Sequence, residues 1–143
     1  MNQPEDFVFR PIENADNEKA AHLIRTVMTE FGCVGEGYSI NDPEVDAMFE
    51  TYSQERSVFF IVTYQGELVG GGGIAPLAGG DGETCELKKM YFYPQVRGFG
   101  LGKKMVRLCL EAAKEKGFRR CYLETVGRME AANHLYQKMG FEK

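Results

Sequence analysis

Tyr93-Pro94-Gln95-Val96-Arg97-Gly98-Phe99-Gly100-Leu101-Gly102-Lys103 joins a β-type run to a helical pattern, and what this turn can hold decides how the chain is read. Unhindered backbone N–H groups at a helix N-terminus bind phosphate oxygens, helped by the helix dipole. Gly98, Gly100 and Gly102 let the backbone come close to such a ligand, with Phe99 and Leu101 filling the positions between them. Arg97 and Lys103 add the positive charge that a pyrophosphate requires. Taken alone, the loop is also compatible with a plain tight turn rich in glycine.

Working outward, Glu83 to Tyr93 reads as a long strand that stops at Pro94. From Gly102 to Lys116 the residues Met105, Leu108, Cys109 and Ala112 share one helical face, and Gly117 ends the helix. Cys121 to Thr125 is a short strand, and Arg128 to Met139 a last helix closed by Gly140. A strand, helix, strand unit over 83–125 implies a crossover connection and a parallel pair.

Upstream, Phe7 to Ile12 alternates as a first strand, and a helix runs from about Asp16 to Phe31 on Leu23, Ile24, Val27 and Met28. Asp42-Pro43 starts a second helix with Val45, Met48, Phe49 and Tyr52 on one side. Ser57 to Tyr64, the turn Gln65-Gly66 and the strand from Leu68 make a hairpin. Four consecutive glycines, Gly70 to Gly73, suggest a bulge or a close approach by a backbone or ligand, or else a flexible connector. Residues 32–40 are irregular and suited to lining a pocket.

Composition limits the partners. A chain of 143 residues with 43% hydrophobic content suits one soluble domain. A net charge of −4 speaks against general nucleic-acid binding, which needs a broad basic face. No apolar run reaches a membrane span of roughly 20 residues. The start, Met1 to Asp6, lacks the features of a secretory signal, so a cytoplasmic location is expected. Cys33, Cys85, Cys109 and Cys121 form no C-x-x-C pair and are expected to be reduced and structural, and the lone His22 and His134 predict no metal.

The motif Arg-x-x-Gly-x-Gly at 97–102, after a strand and before an amphipathic helix, resembles the coenzyme A signature of the GNAT superfamily of N-acetyltransferases. Glu86-Leu87-Lys88-Lys89-Met90-Tyr91-Phe92-Tyr93-Pro94 resembles the family strand before that loop, and Leu135-Tyr136-Gln137-Lys138-Met139-Gly140-Phe141 its last helix and exit. The whole chain is similar to bacterial single-domain acetyltransferases. The resemblance implies an α+β fold: a mixed, mostly antiparallel sheet with a splayed parallel strand pair and about four flanking helices. Residues 1–143 would form one acetyltransferase domain, although such proteins usually carry one or two further strands after the position of Phe141.

That resemblance also assigns roles. Acetyl-CoA would be the acetyl donor, held by Arg97, Gly98, Phe99, Gly100, Leu101, Gly102 and Lys103, by the main chain of Met90, Tyr91 and Phe92, and by Asn133. Tyr136 would protonate the departing thiolate, and a phenol is matched to a thiol within about 1–2 pKa units. Glu86 is the candidate base, read as sharing a strand face with Lys88 and Met90; Glu124 or a chain of waters are alternatives. A small-molecule amine is the expected acceptor, with Glu36, Tyr38 and Phe49 near it, and the resemblance leaves room for a homodimer. Two rivals stay open: a coenzyme A sensor without chemistry, and a dinucleotide-binding protein, although the glycine spacing departs from G-x-G-x-x-G.

Overall fold

Apolar alternation and a set of turns lay five strands into one sheet. A computed structural model describes residues 7–30, 43–77, 79–80 and 82–123. The strands are β1 (Phe7–Pro11), β2 (Val58–Tyr64), β3 (Glu67–Pro76), β4 (Thr84–Phe92) and β5 (Arg120–Leu123), ordered 1-2-3-4-5 across the sheet. The first three pairings are antiparallel, and β4 pairs with β5 in parallel, from Thr84↔Arg120 to Leu87↔Leu123. The parallel pair expected from the 83–125 unit is therefore present. At the β2–β3 turn Gln65 and Gly66 both have positive φ, 50° and 83°, which matches the right-handed twist of a two-residue hairpin.

The helices α1 (Asn17–Glu30), α2 (Met48–Thr51) and α3 (Leu101–Glu115) cover the two faces. On one face Val62, Ile74, Cys85 and Leu87 pack with Met105, Val106 and Cys109 of α3. On the other, Phe59, Ile61 and Leu68 pack with Ile24 and Val27 of α1 and with Val45, Met48 and Tyr52. Each such side chain contributes about 1.5–3 kcal/mol by leaving water. Helix α1 is fastened to β1 at its start: Arg10 Nη1 and Nη2 donate to Asp16 at 2.8 and 3.0 Å, and Glu13 N–H donates to Asp16 at 2.7 Å.

One expectation changes and one open choice is settled. The helix predicted from Pro43 is broken into a 3₁₀ segment, Pro43–Ala47, and the single α turn of α2. Ala47 leaves helical geometry at φ −135°, and the Asn17 side chain accepts from Phe49 N–H at 2.7 Å, giving the new turn its own cap. The glycine run is a continuous piece of β3, not a connector. A Cβ on Gly70 would stand 2.3 Å from the Phe92 ring, and one on Gly73 would stand 2.5 Å from the Val58 carbonyl oxygen. The rings of Phe92 and Phe59, the Val58 carbonyl and the side chains of Met105 and Met90 occupy the space that side chains at these positions would fill. The predicted helix over 128–139 lies outside the described residues.

Candidate functional site

The centre of β4 carries an irregularity with consequences for every side chain after it. Gly71 pairs with Tyr91 and Gly73 with Lys88, so Lys89 and Met90 together face Gly72 in a β-bulge. Lys89 has φ 54°, unusual for a residue with a Cβ. The bulge inverts the alternation: Met90 packs on the α3 face, whereas Tyr91 packs on the α1 face. Glu86, paired with Ala75, which packs on the α1 face, therefore shares that face with Tyr91 and not with Met90. This corrects the expectation for Met90, which assumed an uninterrupted period of two.

After β4 the chain makes a 3₁₀ turn, Pro94–Val96, and enters the loop to α3. Buried Val96 and Leu101 and the Phe99 ring, 5.7 Å from the Phe7 ring, pin the loop to the sheet. Between these anchors Gly98 (φ 91°) and Gly100 (φ 78°) adopt the left-handed conformation, exposed and with open space where a Cβ would be. Their glycines are required by backbone conformation rather than by crowding. The first bond of α3 runs from Lys104 N–H to Gly100 O, so the N–H groups of Leu101, Gly102 and Lys103 have no acceptor within the helix. No side chain caps Gly100, and Lys103 is exposed beside these donors. This donor set suits an anion of the size of a phosphate group.

Arg97 is placed differently from a simple phosphate cation. Its guanidinium donates to both carboxylate oxygens of Glu30 at 2.7 and 2.8 Å, and to the Phe92 carbonyl at 3.0 Å from Nε and 2.7 Å from Nη2. It thereby ties the last residue of α1 and the last residue of β4 to the loop, and it holds the Glu30 carboxyl below its ordinary range. Nothing in the local sequence signals this pairing.

On the α1 face lies Tyr52, its ring 5.2 Å from that of Phe59 and its hydroxyl buried with no hydrogen-bond partner among the described residues. An unsatisfied buried hydroxyl costs about 1–3 kcal/mol. Burial, with the carboxylates of Glu44 and Glu86 adding to it, raises the pKa of this phenol far above its usual value. Glu44 accepts from Lys89 at 3.1 Å, and the Lys89 side chain is 5% exposed. On the opposite face Cys85, Cys109 and Cys121 are free thiols, with Cys109 pushed up to about 12 by burial.

The family model described as acetyltransferase (GNAT) family matches residues 16–141. The chain belongs to the GNAT acetyltransferase family. The N-acetyltransferase YjgM of Escherichia coli K12 is 46% identical over 140 residues, 97% of this chain and 84% of that one. Among solved structures, a GNAT acetyltransferase of Staphylococcus aureus Mu50 superposes with a TM-score of 0.84 at 21% identity, over 95% of this chain and 84% of that one. An acetyltransferase of Salmonella typhimurium solved with its cofactor acetyl-CoA gives 0.81 at 17% identity, over 96% and 80%. At these identities the superpositions speak for the fold. The mixed five-stranded sheet with its parallel β4–β5 pair is the GNAT fold.

Within this GNAT chain, the predicted residues 97–103 form one loop and helix start at the end of β4. Met90, Tyr91 and Phe92 lie just before it, beyond the last recorded β4–β5 pair at Leu87. Glu86 sits in the paired half of β4. Tyr136, Asn133, Glu124, Glu36 and Tyr38 lie outside the described residues. Sequence reasoning missed Glu30 as the partner of Arg97, the placement on β4 at Lys89 of the bulge expected at the glycine run, and the buried hydroxyl of Tyr52, which it read only as part of an apolar helix face. Among the described residues no group of His, Cys, Asp and Glu is arranged to hold a metal, and no helix is long and apolar enough to cross a membrane.

Proposed function

We propose that this chain transfers the acetyl group of acetyl-CoA directly to the amine of a small molecule or amino acid. The observation that carries the reading is the loop before α3: two left-handed glycines and three helix-leading N–H groups, presented to solvent beside Lys103 at the end of β4. Gly98 to Lys103 would hold the pyrophosphate through main-chain donors. Arg97 would act on that site through the loop it fastens to Glu30. Met90 to Phe92 would be the strand along which the pantetheine arm runs, and the span from Phe92 back to Glu86, roughly 20 Å at about 3.3 Å per residue, suits an arm of that length.

A thioester supplies an activated acetyl group. The protein's share is then to orient it, accept the amine's proton and protonate the thiolate. Glu86, half-buried on the α1 face, is the base in this reading, and Tyr136 the acid, with Asn133 a further cofactor contact; the last two roles rest on the family resemblance. Thermal unfolding with acetyl-CoA against NAD(P) tests the ligand class. We expect acetyl-CoA to raise Tm by several degrees and NAD(P) to leave it unchanged; a larger shift with NAD(P) would overturn the proposal.

A further inference from the structure

Lys89 is an unfavourable residue for the backbone it occupies. Its φ of 54° is the left-handed conformation, which a residue with a Cβ adopts only under constraint and glycine adopts freely. Such outliers persist where their surroundings over-determine them, and they gather at working sites. Here the constraint is visible. The Lys89 side chain is 5% exposed, and its ammonium donates to Glu44 Oε1 at 3.1 Å. Glu44 sits on a fixed turn: Pro43 opens the 3₁₀ segment, Val45 is fully buried, and Asp46 accepts two bonds from the Arg25 guanidinium of α1 at 2.7 and 3.0 Å. The bulge itself falls just past the last β4–β5 pair among the described residues, Leu87↔Leu123. A Cβ on the opposing Gly72 would stand 3.2 Å from Met90 Cγ, so glycine there makes room for the side chain that the bulge inverts.

We propose that the Lys89–Glu44 ion pair is a brace: it fixes the β4 bulge against the 3₁₀ turn and so positions Met90 to Phe92 for the pantetheine arm. The inference rests on the acetyltransferase reading above and adds two positioning residues to its site. Glycine at position 89 would relieve the backbone but leave nothing to tie the bulge to the turn. Lysine is strained there, yet its buried ammonium makes the pair obligatory, because an unpaired buried charge is strongly unfavourable. Neither residue touches the reacting atoms in this reading. Both act through the main chain of the strand that follows the bulge.

Calorimetric titration of Lys89→Gly and Glu44→Gln with coenzyme A, and with 3′-phospho-ADP, which is coenzyme A without its pantetheine arm, provides the test. Lys89→Gly should keep Tm within about 3 °C of wild type, because relief of backbone strain offsets the lost pair. Both variants should bind coenzyme A about fivefold or more weakly, since the strand is no longer preorganised, with 3′-phospho-ADP affinity unchanged. Amide hydrogen exchange of Met90 to Phe92 should quicken while β2 keeps its protection. The double variant should bind coenzyme A no more weakly than the weaker single variant, because both changes remove one pair. Equal losses for the two ligands would reveal general loosening and overturn the brace. So would wild-type coenzyme A affinity in Lys89→Gly, or additive effects in the double variant. A wild-type protein that binds neither ligand would overturn the acetyltransferase reading, and the brace with it.

Discussion

At Gly100 φ is +78° and a Cβ would meet nothing within 4 Å; at Gly70 a Cβ would stand 2.3 Å from the Phe92 ring. The two glycines are needed for different reasons, and two kinds of measurement separate them. Gly100→Ala should destabilise by roughly 1–2 kcal/mol through backbone strain and should weaken acetyl-CoA, because the loop donors move. Gly70→Ala should cost about 1–3 kcal/mol by overpacking. Part of that loss should return when Phe92→Leu is added, and a double-mutant cycle in urea with no coupling between the two positions would refute the packing account. Tyr136→Phe belongs to the same scale. We expect kcat to fall roughly a hundredfold with acetyl-CoA affinity unchanged; equal losses in both would make Tyr136 a packing residue.

Between elements, the junctions are made by charged side chains. Arg97 bridges the end of α1, the end of β4 and the loop, and Glu30 and Arg97 are each 35% exposed by side chain. An exposed pair of this kind is worth about 0.2–1 kcal/mol, so Glu30→Gln should barely move Tm. If the pair positions the loop, the same variant should raise the KM for acetyl-CoA up to about fivefold with kcat nearly unchanged; an unaltered KM would remove the positioning role. At the β1–α1 junction Arg10, and then the Glu13 N–H, hold the Asp16 carboxyl below its ordinary pKa against the opposing effect of burial. A depressed folded-state pKa means stability that is present above the unfolded value, near 4, and lost as pH falls towards the folded one. Tm should therefore drop below about pH 4 in the wild type and less steeply in Asp16→Asn. Parallel curves for the two proteins would show that Asp16 does not carry this limb.

For the molecule as a whole, the parts legible in sequence were those governed by local spacing. The order of the described strands and helices, the hairpin at Gln65-Gly66 and the parallel pair around α3 all follow from periodicity and turn residues read over short windows. The glycine run pointed to a bulge, but not to the strand that carries it: the extra residue falls on β4 at Lys89, opposite Gly72, and a lysine carries no signal for positive φ. The consequence, Met90 on the α3 face, was lost with that placement. The role of the glycine run stayed open because the rings that fill its space, Phe59 and Phe92, come from other strands. Arg97 looked like a phosphate cation because Glu30 is distant in sequence, and an orphan hydroxyl such as that of Tyr52 is a property of packing alone. The loop at 97–102 was legible since its demand for left-handed backbone is written directly as glycine.

The central claim is acetyl transfer from acetyl-CoA to an amine. Thiol release from acetyl-CoA, followed with and without spermidine, lysine or phenethylamine and with the product analysed by mass spectrometry, tests it most directly. The account predicts release that depends on at least one amine and yields its N-acetyl derivative. No amine-dependent release and no acetylated product, from a protein that is folded and stabilised by acetyl-CoA, would contradict it.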